Sequence, residues 1–167
     1  MAIHWFFCAQ TFIPSVSKWR PDVELDKKDR LILQALQNDA RQSLAALGKR
    51  IGLSQPAISE RVRKLEEAGV ITSYGAHLDP RTLGLRLQAI VRLRTTHSQI
   101  QRCVELFESL PEVVEAFRVT GEDCFILHCL ISEPEDLERV VDSLAAFGSV
   151  ATSLVLSHPV SKSIPIP

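Results

Sequence analysis

The sequence predicts an α+β protein of two units. The first is an N-terminal three-helix unit holding a helix-turn-helix; the second is a C-terminal ferredoxin-like unit of order β-α-β-β-α-β. Three observations carry this. Apolar residues recur at helical spacing from Asp26 to Gly69, and only Gly52-Leu53 joins the second helical period to the third. From Leu85 the rhythm becomes alternating, as in half-buried strands. Charge also changes sign along the chain: residues 41–65 hold six basic residues and one acidic, whereas residues 97–148 hold three basic and eleven acidic. A chain of 167 residues accommodates two small domains.

Residues 1–24 stand apart as an extension with both tryptophans (Trp5, Trp19), Pro14 and Pro21 and no sustained period. Two readings stay open for it: a segment ordered only where it packs, or a cover for an apolar patch on a partner subunit. From Asp26 the first helix begins, with Asp29 three residues on as a variant of the capping box. Leu25, Ile32, Leu33 and Leu36 form its apolar stripe. Ser43 caps the second helix, which buries Leu44, Leu47 and Ile51 and stops at Gly52. The third opens with Ser54 as cap and Pro56 in its first turn, where a missing N–H costs little. Ile58, Arg61, Val62 and Leu65 lie on one face, and Gln55, Ser59 and Arg63 on the other. Gly69 ends the helix, Val70–Tyr74 reads as a strand, and Asp79-Pro80 marks a turn.

In the second unit Leu85–Thr95 alternates, with Ile90 the exception. A helix is expected from Ser98 to Pro111 with Ile100, Val104 and Phe107 inward. Strands follow at Val113–Val119 and Cys124–Ile131 around the turn Thr120-Gly121-Glu122-Asp123. Another helix starts at Pro134, with Leu137, Val140, Val141 and Leu144 inward, and Val150–Leu156 is the last strand. The expected boundaries are 25–75 for the helix unit, 76–84 for a linker, 85–159 for the second unit and 160–167 for a tail. Such a unit places both helices on one face of an antiparallel sheet. The other face needs a cover, and a second copy of the same sheet supplies one, so a homodimer is expected.

Composition excludes several classes. With 46% hydrophobic and 23% charged residues the chain is neither a disordered nor a fibrous type. No apolar run approaches the roughly 20 residues of a membrane span. The apolar start lacks the basic first residues and long apolar core of a secretory signal, so the chain reads as cytoplasmic. Cys8, Cys103, Cys124 and Cys129 form no CxxC pair and read as reduced thiols. His77, His97 and His128 share no metal spacing, so no metal site is expected. Cys124 and His128 share a strand parity, but about 13 Å of strand separates them, too far for a nucleophile and its base. No catalytic residue or cofactor is expected.

The helix-turn-helix points to double-stranded DNA. Its second helix places N-terminal side chains against base edges in the major groove. Here those are Gln55, Ser59 and Arg63, beside Ser54 and Pro56 at the helix start; Gln reads adenine, Arg reads guanine, and Ser is permissive. Arg41, Lys49, Arg50 and Lys64 suit phosphates, which give affinity without sequence information. A three-helix bundle with a merely solvated basic face is the plain alternative.

Leu25-Asp26-x-x-Asp29-Arg30-x-Ile32-Leu33 and Gln37-Asn38-Asp39-x-Arg41 closely resemble the opening of the leucine-responsive regulatory protein (Lrp/AsnC, feast/famine) family. So do Gly52-Leu53-Ser54, Arg61-Val62-x-x-Leu65-Glu66-x-x-Gly69-x-Ile71, and Pro111-Glu112-Val113 ahead of Val119-Thr120-Gly121. The resemblance spans about Leu25 to Pro159. It implies a winged helix-turn-helix joined to an effector domain called RAM, in dimers that pair through their sheets and often assemble into tetramers or octamers. It also implies a transcriptional regulator, nucleoid-associated, that responds to an amino acid or related metabolite bound between RAM domains. Family members often carry Thr-Gly-Asp-x-Asp-Tyr at the central turn. This chain has Thr120-Gly121-Glu122-Asp123-Cys124-Phe125, with Cys124 in place of the second aspartate. Thr120, Gly121 and Glu122, with Asp123 beside them, are therefore the expected effector loop, and a tight turn with solvated acids is the alternative. Two other functions stay open: an architectural DNA binder of low specificity, and a siroheme-decarboxylase-like enzyme of similar fold.

Overall fold

The computed structural model describes residues 23–167. The readings made of residues 1–22, including Cys8 and both tryptophans, lie outside the described residues. The chain divides into two units. One holds the residues up to Ala76 together with Ser161–Pro167; the other is His77–Val160.

In the first unit, α1 (Lys27–Asn38), α2 (Leu44–Ile51) and α3 (Gln55–Glu67) close on one core. The start of α1 carries a full capping box: the Asp26 carboxylate accepts from the Lys28 and Asp29 amides, and the Asp29 carboxylate accepts from the Asp26 amide. Ser43 caps α2 by accepting from the Ala46 amide, and Gly52 stops it with φ 74°. Ile32, Leu33, Ala35, Leu47, Ile51, Ile58, Val62 and Leu65 are the buried set, each drawn from the inward face of its helix. The turn is tight because Gly48 has no side chain: a Cβ there would lie 2.7 Å from the Leu53 carbonyl oxygen. Two expectations need correction. Ser54 stands at the start of α3, but its hydroxyl makes no capping bond. A cap accepts from the second or third helical residue; the second, Pro56, has no N–H to give, and the amide of the third, Ala57, is not engaged by the hydroxyl. Val70–Tyr74 is not a strand. The Val70 and Ile71 amides both donate to the Leu65 carbonyl at the end of α3, and both side chains pack on the helical core instead of alternating.

The second unit follows the expected order. After a short 3-10 turn at Pro80–Leu83 come β1 (Leu87–Thr95), α4 (Ile100–Ser109), β2 (Val113–Arg118), β3 (Phe125–Ile131), α5 (Pro134–Ala145) and β4 (Gly148–Leu154). The sheet order is β2-β3-β1-β4, with every neighbouring pair antiparallel. Alternate residues of the central strands (Ala89, Val91 and Leu93; Phe125, Leu127, Cys129 and Ile131) are buried against Cys103 and Phe107 of α4 and Val140 and Leu144 of α5. Both helices therefore cover one face. Phe107 and Phe125 meet edge to face at 5.0 Å across it. The opposite parity puts Ile90, Ile126, Leu130 and Phe117 on the other face, all half-buried. Boundaries shift by a few residues. Residues His97–Gln99 form a 3-10 turn ahead of α4, and β4 starts and ends two residues earlier than expected. The earlier start reflects contact with β1: Gly148 pairs with Thr95, and a Cβ on it would sit 2.0 Å from the Arg94 carbonyl oxygen.

Candidate nucleic-acid interface and effector loop

The exposed start of α3 carries Ser54, Gln55 and Pro56, with Ser59 one turn on and half-buried. The uncapped Ser54 hydroxyl and the Gln55 carboxamide make no hydrogen bond to another described residue, so donors and acceptors face outward. On α2, Lys49 and Arg50 lie in the last turn, where the helix dipole favours cations. Both are exposed, as is Arg41, and none of the three forms an ion pair among the described residues.

Arg63 lies on the exposed face as expected, but with carboxylate partners on its own helix. Its guanidinium donates to both oxygens of Glu60 at 3.0 and 2.7 Å and also to Glu67. These hydrogen bonds raise its already high pKa and hold the Glu60 carboxyl below its usual range. Lys64 lies 3.7 Å from the same Glu60 oxygen. The basic count of residues 41–65 therefore overstates the field near α3, since Glu66 and Glu67 follow at once. To read guanine, Arg63 must first release two carboxylates.

Arg61, the first basic residue of this helix, faces inward as expected and ties α3 to α1. Its Nη1 donates to Asp26 and Asp29, each at 2.7 Å. The Asp29 amide and this guanidinium hold the Asp26 carboxyl below the usual carboxylate range. Sequence reasoning missed two further fasteners. Lys28 Nζ donates to the Ile51 carbonyl at the end of α2. Tyr74 donates to Glu66 at 2.7 Å, and burial together with that carboxylate pushes the phenol up to about 12.

In the second unit, Thr120, Gly121 and Glu122 form an exposed bend between β2 and β3, with Asp123 half-buried. Gly121 has φ 115°, which L side chains rarely adopt. The bend is closed beneath by the Val119 amide donating to the Cys124 carbonyl. The Glu122 and Asp123 carboxylates make no ion pair among the described residues. A small cleft of about 120 Å³ lies elsewhere in this unit, at the start of β1, lined by Asp79, Arg81, Arg86, Leu130 and His158 among others.

Cys124 and His128 have separate partners. The Cys124 thiol donates to the Thr95 carbonyl at 3.1 Å, whereas His128 lies 3.3 Å from Glu115 and beside Gln88. Cys103 and Cys129 are buried free thiols, and burial pushes Cys129 up to about 11. Among the described residues no cluster of His, Cys, Asp and Glu could hold a metal, and no helix is long and apolar enough to cross a membrane.

Comparison with known proteins agrees with this arrangement. Residues 25–72 match the family model described as a winged helix-turn-helix DNA-binding domain, and residues 88–165 match that of the Lrp/AsnC ligand binding domain. The chain is 36% identical over 142 residues to the HTH-type transcriptional regulator AldR of Mycolicibacterium smegmatis, covering 81% of this chain and 83% of that one. It is 38% identical over 134 residues to the leucine-responsive regulatory protein of Rhizobium meliloti, covering 78% and 86%. Among solved structures, LrpC of Bacillus subtilis superposes with a TM-score of 0.79 at 29% identity, covering 84% of this chain and all of that one (100%). A transcriptional regulator of Neisseria meningitidis in complex with L-Met superposes with 0.78 at 29%, covering 86% and 97%. With both of its units matched in order, this chain is a member of the Lrp/AsnC family of transcriptional regulators.

Proposed function

We propose that the chain is a sequence-specific regulator that binds promoter DNA through α3 and answers to an amino acid or related metabolite. The observation that carries the DNA half is the exposed polar start of α3 (Ser54, Gln55), with half-buried Ser59 one turn on, beside Lys49 and Arg50 at the end of α2, which form no ion pair among the described residues. In this reading Gln55 and Ser59 meet base edges, and Ser54 and the Pro56 turn set the helix against the backbone. Arg41, Lys49, Arg50 and Lys64 hold phosphates. Thr120, Gly121, Glu122 and Asp123 form part of the effector site, where the carboxylates, in no ion pair among the described residues, suit the ammonium of an amino acid. The half-exposed apolar sheet face with Ile90, Phe117, Ile126 and Leu130 supports a homodimer, and dimers assemble further into tetramers or octamers. The effector binds one assembly better than another and so changes how recognition helices are spaced on DNA. The reading places the protein in the cytoplasm and assigns it no catalytic residue.

One observation favours a second reading, an architectural DNA binder of low specificity: Arg63, the best guanine reader on the helix, is held by Glu60 and Glu67. Fluorescence anisotropy separates the two. DNA from upstream of the protein's own gene is compared with scrambled DNA at two salt concentrations, with and without a pool of amino acids. Preferential binding that shifts with the pool supports the regulator. Equal binding to both DNAs with a steep salt slope supports the architectural reading.

A further inference from the structure

Residues 161–167 read Ser-Lys-Ser-Ile-Pro-Ile-Pro. They follow the second unit in sequence, yet they belong to the helix unit in space. Gln37, one residue before the end of α1, holds the backbone of Ile164 at both polar groups. Its Nε2 donates to the Ile164 carbonyl at 3.1 Å, and its Oε1 accepts from the Ile164 amide at 2.8 Å. A side-chain carboxamide here imitates the pairing that a neighbouring strand would offer. Two residues on, Ile166 packs half-buried against the core of the three helices.

The sequence of the segment suits this contact. Ile164 and Ile166 each precede a proline, which confines them to extended backbone, and Pro165 and Pro167 have fixed φ and no N–H. The segment is therefore extended before it docks, and little conformational freedom is lost on docking. The prolines remove donors only at positions that Gln37 does not use.

We infer that the end of α1, centred on Gln37, is a docking site for the chain's own 161–167 segment. The docked segment is a latch that gives the helix unit a second, non-covalent attachment to the chain of the His77–Val160 unit. One attachment runs through Ala76 and the other through Ser161. Opening the latch leaves both folds intact and halves the number of tethers on the DNA-binding unit. None of the residues assigned to DNA or effector takes part, so the latch stands or falls apart from those assignments.

Lys162 is exposed and lies two residues before the clamped Ile164, so cleavage after it by trypsin reports the open state. The measurement follows release of residues 163–167 by mass spectrometry at early times, in the full chain without DNA or amino acid. Gln37→Ala removes both hydrogen bonds and should release the peptide about tenfold faster than the wild type. Ile166→Asp should do the same while leaving the helices' own sequence untouched, which guards against a Gln37 variant that fails to fold. Equal release from the wild type and both variants overturns the latch. Wild-type protection that fades on dilution shows that the segment docks on a neighbouring copy, and it overturns docking within one chain. Protection independent of concentration and lost in either variant supports it.

Discussion

Replacing Glu60 by glutamine tests how much of the positive field on α3 is masked by the helix itself. The Glu60 carboxylate accepts two hydrogen bonds from Arg63 and lies within ion-pair distance of Lys64, so one substitution loosens two cations at once. Glutamine is about as good a helix former as glutamate, so the fold should be unaffected. If the loosened side chains reach phosphates, each added contact steepens the slope of log affinity against log salt by about 0.9. Lowering salt from about 200 to about 50 mM would then strengthen binding by a further factor of about 3.5 for one phosphate and about 12 for two. Glutamine still accepts one bond from Arg63, and Glu67 still pairs with it, so Lys64 is the cation released and the smaller factor is the expected one. Anisotropy titrations of wild type and E60Q on the same duplex, at several salt concentrations, read the slope directly. Parallel salt plots with equal affinity would refute the reasoning, because Lys64 would then lie away from the DNA even when its carboxylate partner is gone.

Four other outcomes are expected. Gln55→Ala should cost about 1–3 kcal/mol in binding to the preferred site and little on scrambled DNA, as measured by competition anisotropy. Gly121→Ala forces a side chain into φ 115° and should weaken the amino-acid response while DNA affinity stays near normal; loss of folding on a thermal melt would instead mark the bend as purely structural. The folded pKa of Asp26 is lowered, so its contribution to stability is present above the ordinary carboxylate range and is lost as pH falls through the folded value. Urea melts from about pH 6 down to about pH 3 should show the helix unit weakening, and Asp26→Asn should flatten that dependence. Gly48→Ala places a methyl group 2.7 Å from the Leu53 carbonyl and should lower stability by about 1–3 kcal/mol, visible as a reduced Tm.

Much of the fold was legible because it is local. The Asp26/Asp29 box, the Ser43 cap and the Gly52 stop are each set by residues within one turn, and strand alternation is set by a period of two. What misled was local evidence that tertiary contacts overrode. Val70 and Ile71 have the composition of a strand, but their amides are already used at the end of α3. Arg63 looked free because charge was counted by sign along a window ending at Leu65, not by partners three and four residues away, and the window stopped short of Glu67. That signal was available in the sequence. The tie from Arg61 to α1 and the clamp of Gln37 on Ile164 span 32 to 127 positions and leave no periodic trace. The effector loop was legible as a bend with a glycine where positive φ is needed; what it binds was not.

The idle hydroxyl at the head of α3 also bears on engineering and on drift. Changing Pro56 to alanine adds an N–H at the second helical position beside that of Ala57, so the Ser54 hydroxyl has two amides to accept from and a capped helix is favoured, the sort of gain a stability screen rewards. The same change turns Ser54 inward onto its own backbone and away from any phosphate. Selection for heat tolerance and selection for promoter occupancy thus pull on one dipeptide step in opposite directions, and a thermostable variant should be checked there first.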